Sequence, residues 1–265
     1  MSTTSPSVPA EQVTQMQRAS NERASNAVRL EILTLNEPRS SWSFSTAKRA
    51  FDLVVSFAAL LLFAIPMLVI AAWIRLSSSG GALFVQERIG KGGRKFKIYK
   101  FRSMESSPAC SDSLGLTASG DCRITEIGRI LRAFKLDELP QLINIVRGDM
   151  SLVGPRPKTA KYADDLNMVF RPGLTGAASL AFRNEEELLS SLSAQEIEPF
   201  YMKHIKPIKA QLDYRYMLSA GFESDLRIIA ATFFSALRPE PDPELEPQFT
   251  PKSASGLHLV EGNGD

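Results

Sequence analysis

The chain is poor in the residues that build metal centres and covalent staples. It has two cysteines, Cys110 and Cys122, and two histidines, His204 and His258, in 265 residues. Two thiols cannot make a disulfide scaffold or, alone, a cysteine zinc site. Two imidazoles leave little room for a histidine-rich metal centre. Net charge is also scarce. The 31 Lys and Arg nearly balance 29 Asp and Glu, for a formal +2, which excludes a globally basic nucleic-acid binder. Residues 1–45 have few large apolar side chains and lack the apolar core and cleavage site of a secretory signal. They read as a disordered extension, with Arg18, Arg23 and Arg29 solvated. What remains, at 44% hydrophobic and 23% charged residues, has the profile and length of a folded protein that needs no staples.

One long apolar run stands out, FDLVVSFAALLLFAIPMLVIAAWI, from Phe51 to Ile74. It is long enough for a transmembrane candidate, but Pro66 interrupts it. A mid-helix proline removes a hydrogen bond and clashes with the preceding turn, at roughly 3 kcal/mol. Both flanks are cationic: Lys48 and Arg49 lead in, and residues 75–102 carry eight cations against one acid, Glu87. Cationic flanks mark the cytoplasmic side, and a simple span would put one cluster outside. The arm from Phe51 to Ile65 is about 22 Å long, short of the roughly 30 Å hydrocarbon core. These features favour a re-entrant hairpin bent at Pro66 over a span.

Downstream, Leu83–Arg88 and Lys95–Phe101 have strand composition around a glycine turn. A polar loop follows over 106–121. Helical spacing appears at Arg123–Phe134 and from about Glu138 to Val146, where Gly148 supplies a stop. Further helices are expected at Thr159–Phe170, Glu185–Ser191, Pro199–Ser219 and Leu226–Leu237. Arg171–Gly176, RPGLTG, reads as a turn. The tail 239–265 is proline-rich, acidic and expected to be disordered.

The most informative segment is Arg132-Ala-Phe-Lys-Leu-Asp-Glu-Leu-Pro-Gln-Leu142. Pro140 is acceptable only in a first helical turn, which puts Asp137 near the N-cap and Glu138 at the first position. Asp is a favoured N-cap. Equally, a helix start attracts phosphate, and adjacent carboxylates can bind Mg²⁺ or divide nucleophile and auxiliary roles. The residues alone leave cap and function evenly weighted. Arg156 in Gly-Pro-Arg-Pro reads as a solvated guanidinium in a rigid turn, with a preset phosphate fork as the alternative. The cations and aromatic at Lys97, Tyr99, Lys100 and Arg102 follow the apolar run closely, which favours anionic headgroups over nucleic acid. Glu185, Glu186 and Glu187 read as a solvated helix start.

In order, Lys48-Arg-Ala-Phe-Asp52, the segment broken at Pro66, Phe84-Val-Gln-Glu-Arg88-Ile-Gly90, Phe96 to Met104, Leu136-Asp-Glu-Leu-Pro-Gln-Leu142, Gly148 to Pro157 and Arg171-Pro-Gly-Leu-Thr-Gly176 resemble the bacterial sugar transferases. These are small monotopic phosphoglycosyl transferases that begin glycan assembly on polyprenyl phosphate. The resemblance covers about Lys48 to Leu237. It implies an α/β, mostly helical, monotopic membrane protein. A re-entrant helix-break-helix over 46–76 would carry a cytoplasmic catalytic domain over 77–238 with interfacial helices, at the cytoplasmic face of a bacterial inner membrane. The implied reaction moves a sugar 1-phosphate from a UDP-sugar to polyprenyl (undecaprenyl) phosphate and releases UMP. It would be the first membrane step of exopolysaccharide, capsule or O-antigen synthesis.

The same resemblance makes Asp137 the nucleophile and Glu138 its assistant in metal or proton handling, with Mg²⁺ on this pair. Lys100, Arg102, Arg132 and Arg156 are the implied phosphate contacts, and Arg171 and Arg183 complete the substrate-binding set. The partners implied are the UDP-sugar, polyprenyl phosphate and inner-leaflet lipids, with no nucleic acid; a homodimer is left open. After Gly176 many members continue with Trp and Gln, then Gly-Arg-Asn, whereas this chain reads Ala-Ala-Ser-Leu-Ala-Phe-Arg183-Asn. That departure weakens any inference about the sugar. Two alternatives stand beside this reading: an inactive membrane-anchored interaction protein of the same fold, and a spanning nucleic-acid-binding regulator.

Overall fold

Ser45 starts the longest helix, α1 (Thr46–Ser77), by accepting a hydrogen bond from the Lys48 amide at 3.0 Å. The computed structural model describes residues 42–78, 80–105, 123–163, 169–190 and 192–237. The expected disordered extension up to residue 41, the loop 106–121 and the tail 239–265 lie outside the described residues, as do residues 164–168 of one expected helix. After α1 come β1 (Leu83–Ile89), β2 (Lys95–Phe101), α2 (Glu126–Ala133) and α3 (Gln141–Arg147). Then follow β3 (Ser151–Val153), β4 (Gly173–Thr175), α4 (Ala177–Ala181), α5 (Glu185–Ser190) and α6 (Ala194–Phe200). A π-helical turn, Tyr201–Ile205, joins α6 to α7 (Lys206–Ser219), and α8 (Phe222–Leu237) comes last.

Helix predominates. The β structure is two separate pairs, an antiparallel β1–β2 hairpin and a parallel β3–β4 pair. The hairpin register runs from Leu83 opposite Phe101 to Ile89 opposite Lys95.

The α1 helix turns one face inward over its first half and again towards its end. Phe51, Val55, Ala59 and Leu60 pack against a core of Ile98, Leu142, Ile145, Met150 and Leu152. At the other end Ile74 is buried with Phe101, Ile127 and Leu131. The opposite face, including Phe57, Leu61, Leu62, Ile65, Leu68 and Trp73, is exposed. Only 6% of the most apolar 18-residue window is buried. A soluble core helix would bury such a window, so α1 has the composition and exposure of a membrane anchor. The expected break at Pro66 is not a loss of helix: α1 is helical on both sides of the proline and through it.

Charge is also buried at the start of α1. Lys48 Nζ reaches Asp52 Oδ1 at 2.6 Å and Asp225 Oδ2 at 2.9 Å. Asp52 accepts from Ser151 Oγ (2.8 Å) and the Leu152 amide (3.2 Å). Asp225 accepts from Trp42 Nε1 and the Tyr216 hydroxyl. This network joins α1 to β3, α7 and α8 with every buried charge partnered, the condition for tolerating it.

Several expectations change. RPGLTG is not only a turn, because Gly173–Thr175 forms β4 beside β3. A Cβ on Gly173 would lie 2.2 Å from the Gly154 amide nitrogen, so only glycine allows this pairing. Thr159–Tyr162 forms a turn rather than the start of a helix. The helix expected over Pro199–Ser219 is interrupted by the π turn, and the last helix begins at Phe222 rather than Leu226. Gly148 stops α3 in the left-handed conformation, φ 95°, as expected of a helix terminator.

Candidate active site

Asp137 and Glu138 are not a helix cap. Leu136–Glu138 is a tight 3₁₀ turn, and α3 begins at Gln141 with Pro140 at its N-cap. Pro140 still marks the helix start, but three residues later than the sequence pattern suggests. Lys135, just before the turn, has φ 55° and ψ 20°. A left-handed non-glycine residue is a strained conformation of the kind that gathers at functional sites.

Both carboxylates are buried, with Asp137 5% and Glu138 8% exposed. Their surroundings differ. Glu138 Oε1 accepts from Lys100 Nζ at 2.8 Å and from Arg156 Nη2, while Arg156 Nη1 approaches Oε2 at 3.5 Å. Burial opposes the charge on Glu138, but Arg156 and Lys100 outweigh it and hold the carboxyl well below the usual range. Asp137 Oδ1 is buried with no hydrogen-bond partner. Burial pushes the Asp137 carboxyl up; Lys100 opposes the rise, Glu138 adds to it, and Arg132 and Lys135 oppose it.

The cations are aimed by backbone. Lys100 is on β2, which Asn144 ties to α3. Asn144 Nδ2 donates to the Lys97 carbonyl at 2.7 Å, and its Oδ1 accepts from the Tyr99 amide at 3.1 Å. Arg156 lies in a loop clamped on two sides. The Gly173 amide donates to the Pro155 carbonyl (2.8 Å), and the Ile89 amide to the Lys158 carbonyl (2.9 Å). The reading of Arg156 as a solvated side chain is therefore corrected: it is paired with Glu138. Arg132, in the last turn of α2, is near enough to favour the ionised form of Asp137 and pairs with Glu186.

Two expected substrate-binding residues, Arg102 and Arg171, carry other contacts, and Arg183 lies two residues before Glu185. Arg102 donates to Ser78 Oγ (2.6 Å) and to the Ser78 carbonyl (3.2 Å), closing the C-terminal end of α1. Arg171 donates to the Gly148 carbonyl at 3.2 Å. It sits at the C-terminal end of α3, whereas the dyad precedes its N-terminal end. Arg183 is half-buried in the connection between α4 and α5.

A profile described as bacterial sugar transferase matches residues 43–239. The chain belongs to this family. Among its relatives, the UDP-glucose:undecaprenyl-phosphate glucose-1-phosphate transferase of Caulobacter vibrioides is 42% identical over 161 residues, covering 57% of this chain and 60% of that protein. The UDP-N-acetylgalactosamine-undecaprenyl-phosphate N-acetylgalactosaminephosphotransferase of Aeromonas hydrophila is 38% identical over 150 residues, covering 52% of this chain and 34% of that protein. The exopolysaccharide production protein PSS of Rhizobium leguminosarum bv. phaseoli is 49% identical over 145 residues, covering 50% of this chain and 72% of that protein. The first two matches span less than two thirds of those relatives' own length.

The cluster also holds residues that sequence reasoning passed over. Arg88, at the end of β1, lies beside Arg156 and Glu138; burial and then Arg156 lower its guanidinium to about 10. Lys209 on α7 pairs with Glu185. The acidic run at the start of α5 is thus not simply solvated: Glu185 and Glu186 are both ion-paired. Only the run of acids itself signalled them, and nothing local pointed to partners on other helices.

The residues fit Mg²⁺ in one respect. Asp137 Oδ1 is an orphaned, buried, hard oxygen, whereas Glu138 is already bonded to two cations. Among the described residues no group of three or more His, Cys, Asp or Glu side chains is gathered.

Proposed function

We propose that the protein transfers a sugar 1-phosphate from a UDP-sugar to polyprenyl phosphate through an aspartyl intermediate. The observation that carries this reading is the orphaned Asp137 oxygen beside a Glu138 locked by Lys100 and Arg156. Membership of the family supports the reaction class. The carboxylate of Asp137 attacks the sugar-linked phosphorus. A new carboxylate–phosphorus bond forms, the bond to the UMP oxygen breaks, and UMP leaves with that electron pair. A phosphate oxygen of the polyprenyl carrier then attacks the same phosphorus and frees Asp137.

A carboxylate approaching an anionic diphosphate meets repulsion unless cations offset it. Lys100, Arg132 and Arg156 supply that offset from fixed positions. Glu138 orients Lys100 and Arg156 rather than attacking, since its oxygens are occupied. Mg²⁺, held by the dyad chiefly through Asp137 Oδ1, would add further charge neutralisation on the diphosphate. The exposed face of α1, with α8, would seat the protein on inner-leaflet lipids at the cytoplasmic face.

The test is UMP release by the full chain with Mg²⁺ and a panel of UDP-sugars, with and without polyprenyl phosphate, beside Asp137→Asn. The expected result is Asp137-dependent release and a phosphosugar mass adduct on the protein when acceptor is absent. Release only with acceptor, and no adduct, would replace the covalent step by direct attack. No UMP from any sugar in folded protein would defeat the transferase reading.

A further inference from the structure

We propose that Glu185 and Glu186 are built-in competitors for the donor's diphosphate and thereby set its affinity. They hold two site cations in the ligand-free protein and must yield them when the diphosphate enters. The inference rests on the transferase reading of the site and adds two residues to it.

The helix α5 opens with three consecutive acids, but they do not do one job. Glu186 pairs with Arg132, a cation that favours the ionised form of Asp137. Glu185 pairs with Lys209, which lies near Arg156 and Lys158. Glu187 is exposed. Both paired cations are sheltered, with the Lys209 side chain 11% and the Arg132 side chain 20% exposed. Lys209 also sits over the rings of Phe182 and Tyr201, at 5.3 and 5.5 Å. A buried ammonium or guanidinium needs an anion nearby, or it costs stability. Glu185 and Glu186 supply that anion while no ligand is bound.

Ion pairing makes the competition unavoidable at Arg132 and Lys209. Around the dyad Arg88, Lys100, Arg132, Lys135, Arg156, Lys158 and Lys209 stand against Asp137, Glu138, Glu185 and Glu186, and two of these cations are held by Glu185 and Glu186. An incoming diphosphate that is to bond Arg132 or Lys209 must displace the carboxylate already paired with it. Glu138 cannot yield easily, because two cations grip its buried carboxylate. The Glu185 and Glu186 side chains are 22% and 38% exposed, so each carboxylate can swing into water at low desolvation cost. A diphosphate brings two phosphoryl groups to compete with the two carboxylates, whereas a monophosphate such as UMP brings one, so the exchange favours the donor over the product.

The experiment measures binding of inorganic diphosphate and of UMP by calorimetry, using the full chain in nanodiscs at fixed ionic strength. Wild type is compared with Glu186→Gln, Glu185→Gln and Glu187→Gln. Removing one competing carboxylate should tighten diphosphate binding about three- to tenfold in the first two variants. Glu187→Gln removes the same formal charge from the same turn and should leave binding unchanged. The gain should vanish in Arg132→Gln/Glu186→Gln. Equal tightening in all three single variants would reduce the effect to net charge and overturn the proposal. Unchanged or weaker binding in Glu186→Gln would overturn it as well, by making that carboxylate a positioning group. If Glu185→Gln unfolds, Glu186→Gln, on the more exposed pair, decides alone. Wild-type UMP release is scored separately: its absence with the binding gains intact sinks the transferase reading only, and its presence without the gains sinks this inference only.

Discussion

Glu138 is gripped by Lys100 and Arg156, while its neighbour Asp137 is buried with an oxygen that nothing bonds. Environments that push two adjacent carboxyls in opposite directions separate their roles. The sign of the Asp137 shift has consequences for stability. Its carboxyl lies above the ordinary aspartate value in the folded protein, so the ionised form costs folding free energy that is recovered as pH falls and the group protonates. Asp137→Asn should therefore raise unfolding free energy by roughly 1 kcal/mol, by removing a buried, unsatisfied charge, while abolishing UMP release. Most buried substitutions destabilise, so a lowered Tm for this variant would contradict the assignment. Activity has the opposite pH sense, because attack needs the carboxylate. The acidic limb of kcat/KM should lie above the ordinary aspartate range. Lys100 favours the ionised form, so Lys100→Met should move the limb of its residual activity to still higher pH. A limb that stays or moves down would remove Asp137 from the nucleophile's role.

The short helix α3 organises the site through one polar residue. Asn144 is fully buried and bonds the Lys97 carbonyl, the Tyr99 amide and, at 3.3 Å, Asp149 Oδ2. Lys100 follows directly on the strand that Asn144 holds. Asn144→Leu leaves two backbone groups of β2 without this partner, at an expected cost of about 2–4 kcal/mol. Because Lys100 shifts with β2, kcat/KM should fall too, measured at a temperature where the variant is folded. A variant destabilised but with normal kcat/KM would show that β2 is positioned by packing alone. The same helix marks what could be read from sequence. The apolar run, the glycine-turned hairpin and the Gly148 stop were legible, because periodicity and turn residues are local signals. The β3–β4 pair was not: three-residue strands carry no period, and their pairing depends on contact between glycines far apart in the chain. Asn144 was hidden within an apolar stretch, Leu142 to Val146. The bonds of Arg102 to Ser78 and of Arg171 to Gly148 depend on carbonyl positions that charge patterns do not encode.

At the scale of the whole molecule, the question is how α1 meets the membrane. A straight helix of 32 residues would be about 48 Å long, enough to cross a hydrocarbon core of roughly 30 Å, so length alone does not exclude a span. Packing argues against one. Lys48 and Asp52 near the start of α1 are buried with Ser151 and Asp225, and Ile74 near its end is buried with Phe101, Ile127 and Leu131. All the described residues belong to one compact unit. A spanning helix would carry one end across the bilayer, away from the body that buries it, and would strand Lys48 or Ile74. Keeping both ends on one side, with the exposed face between them in lipid, satisfies the cationic flanks and the buried network together. The decisive measurement replaces Cys110 and Cys122 by serine and introduces Thr46→Cys or Ser77→Cys, both at exposed positions. An impermeant maleimide added to spheroplasts should label neither cysteine until the membrane is permeabilised, and then both. Labelling of one end alone in intact spheroplasts would mean that α1 crosses the bilayer, and the two-ended packing of this fold would have to open in the membrane.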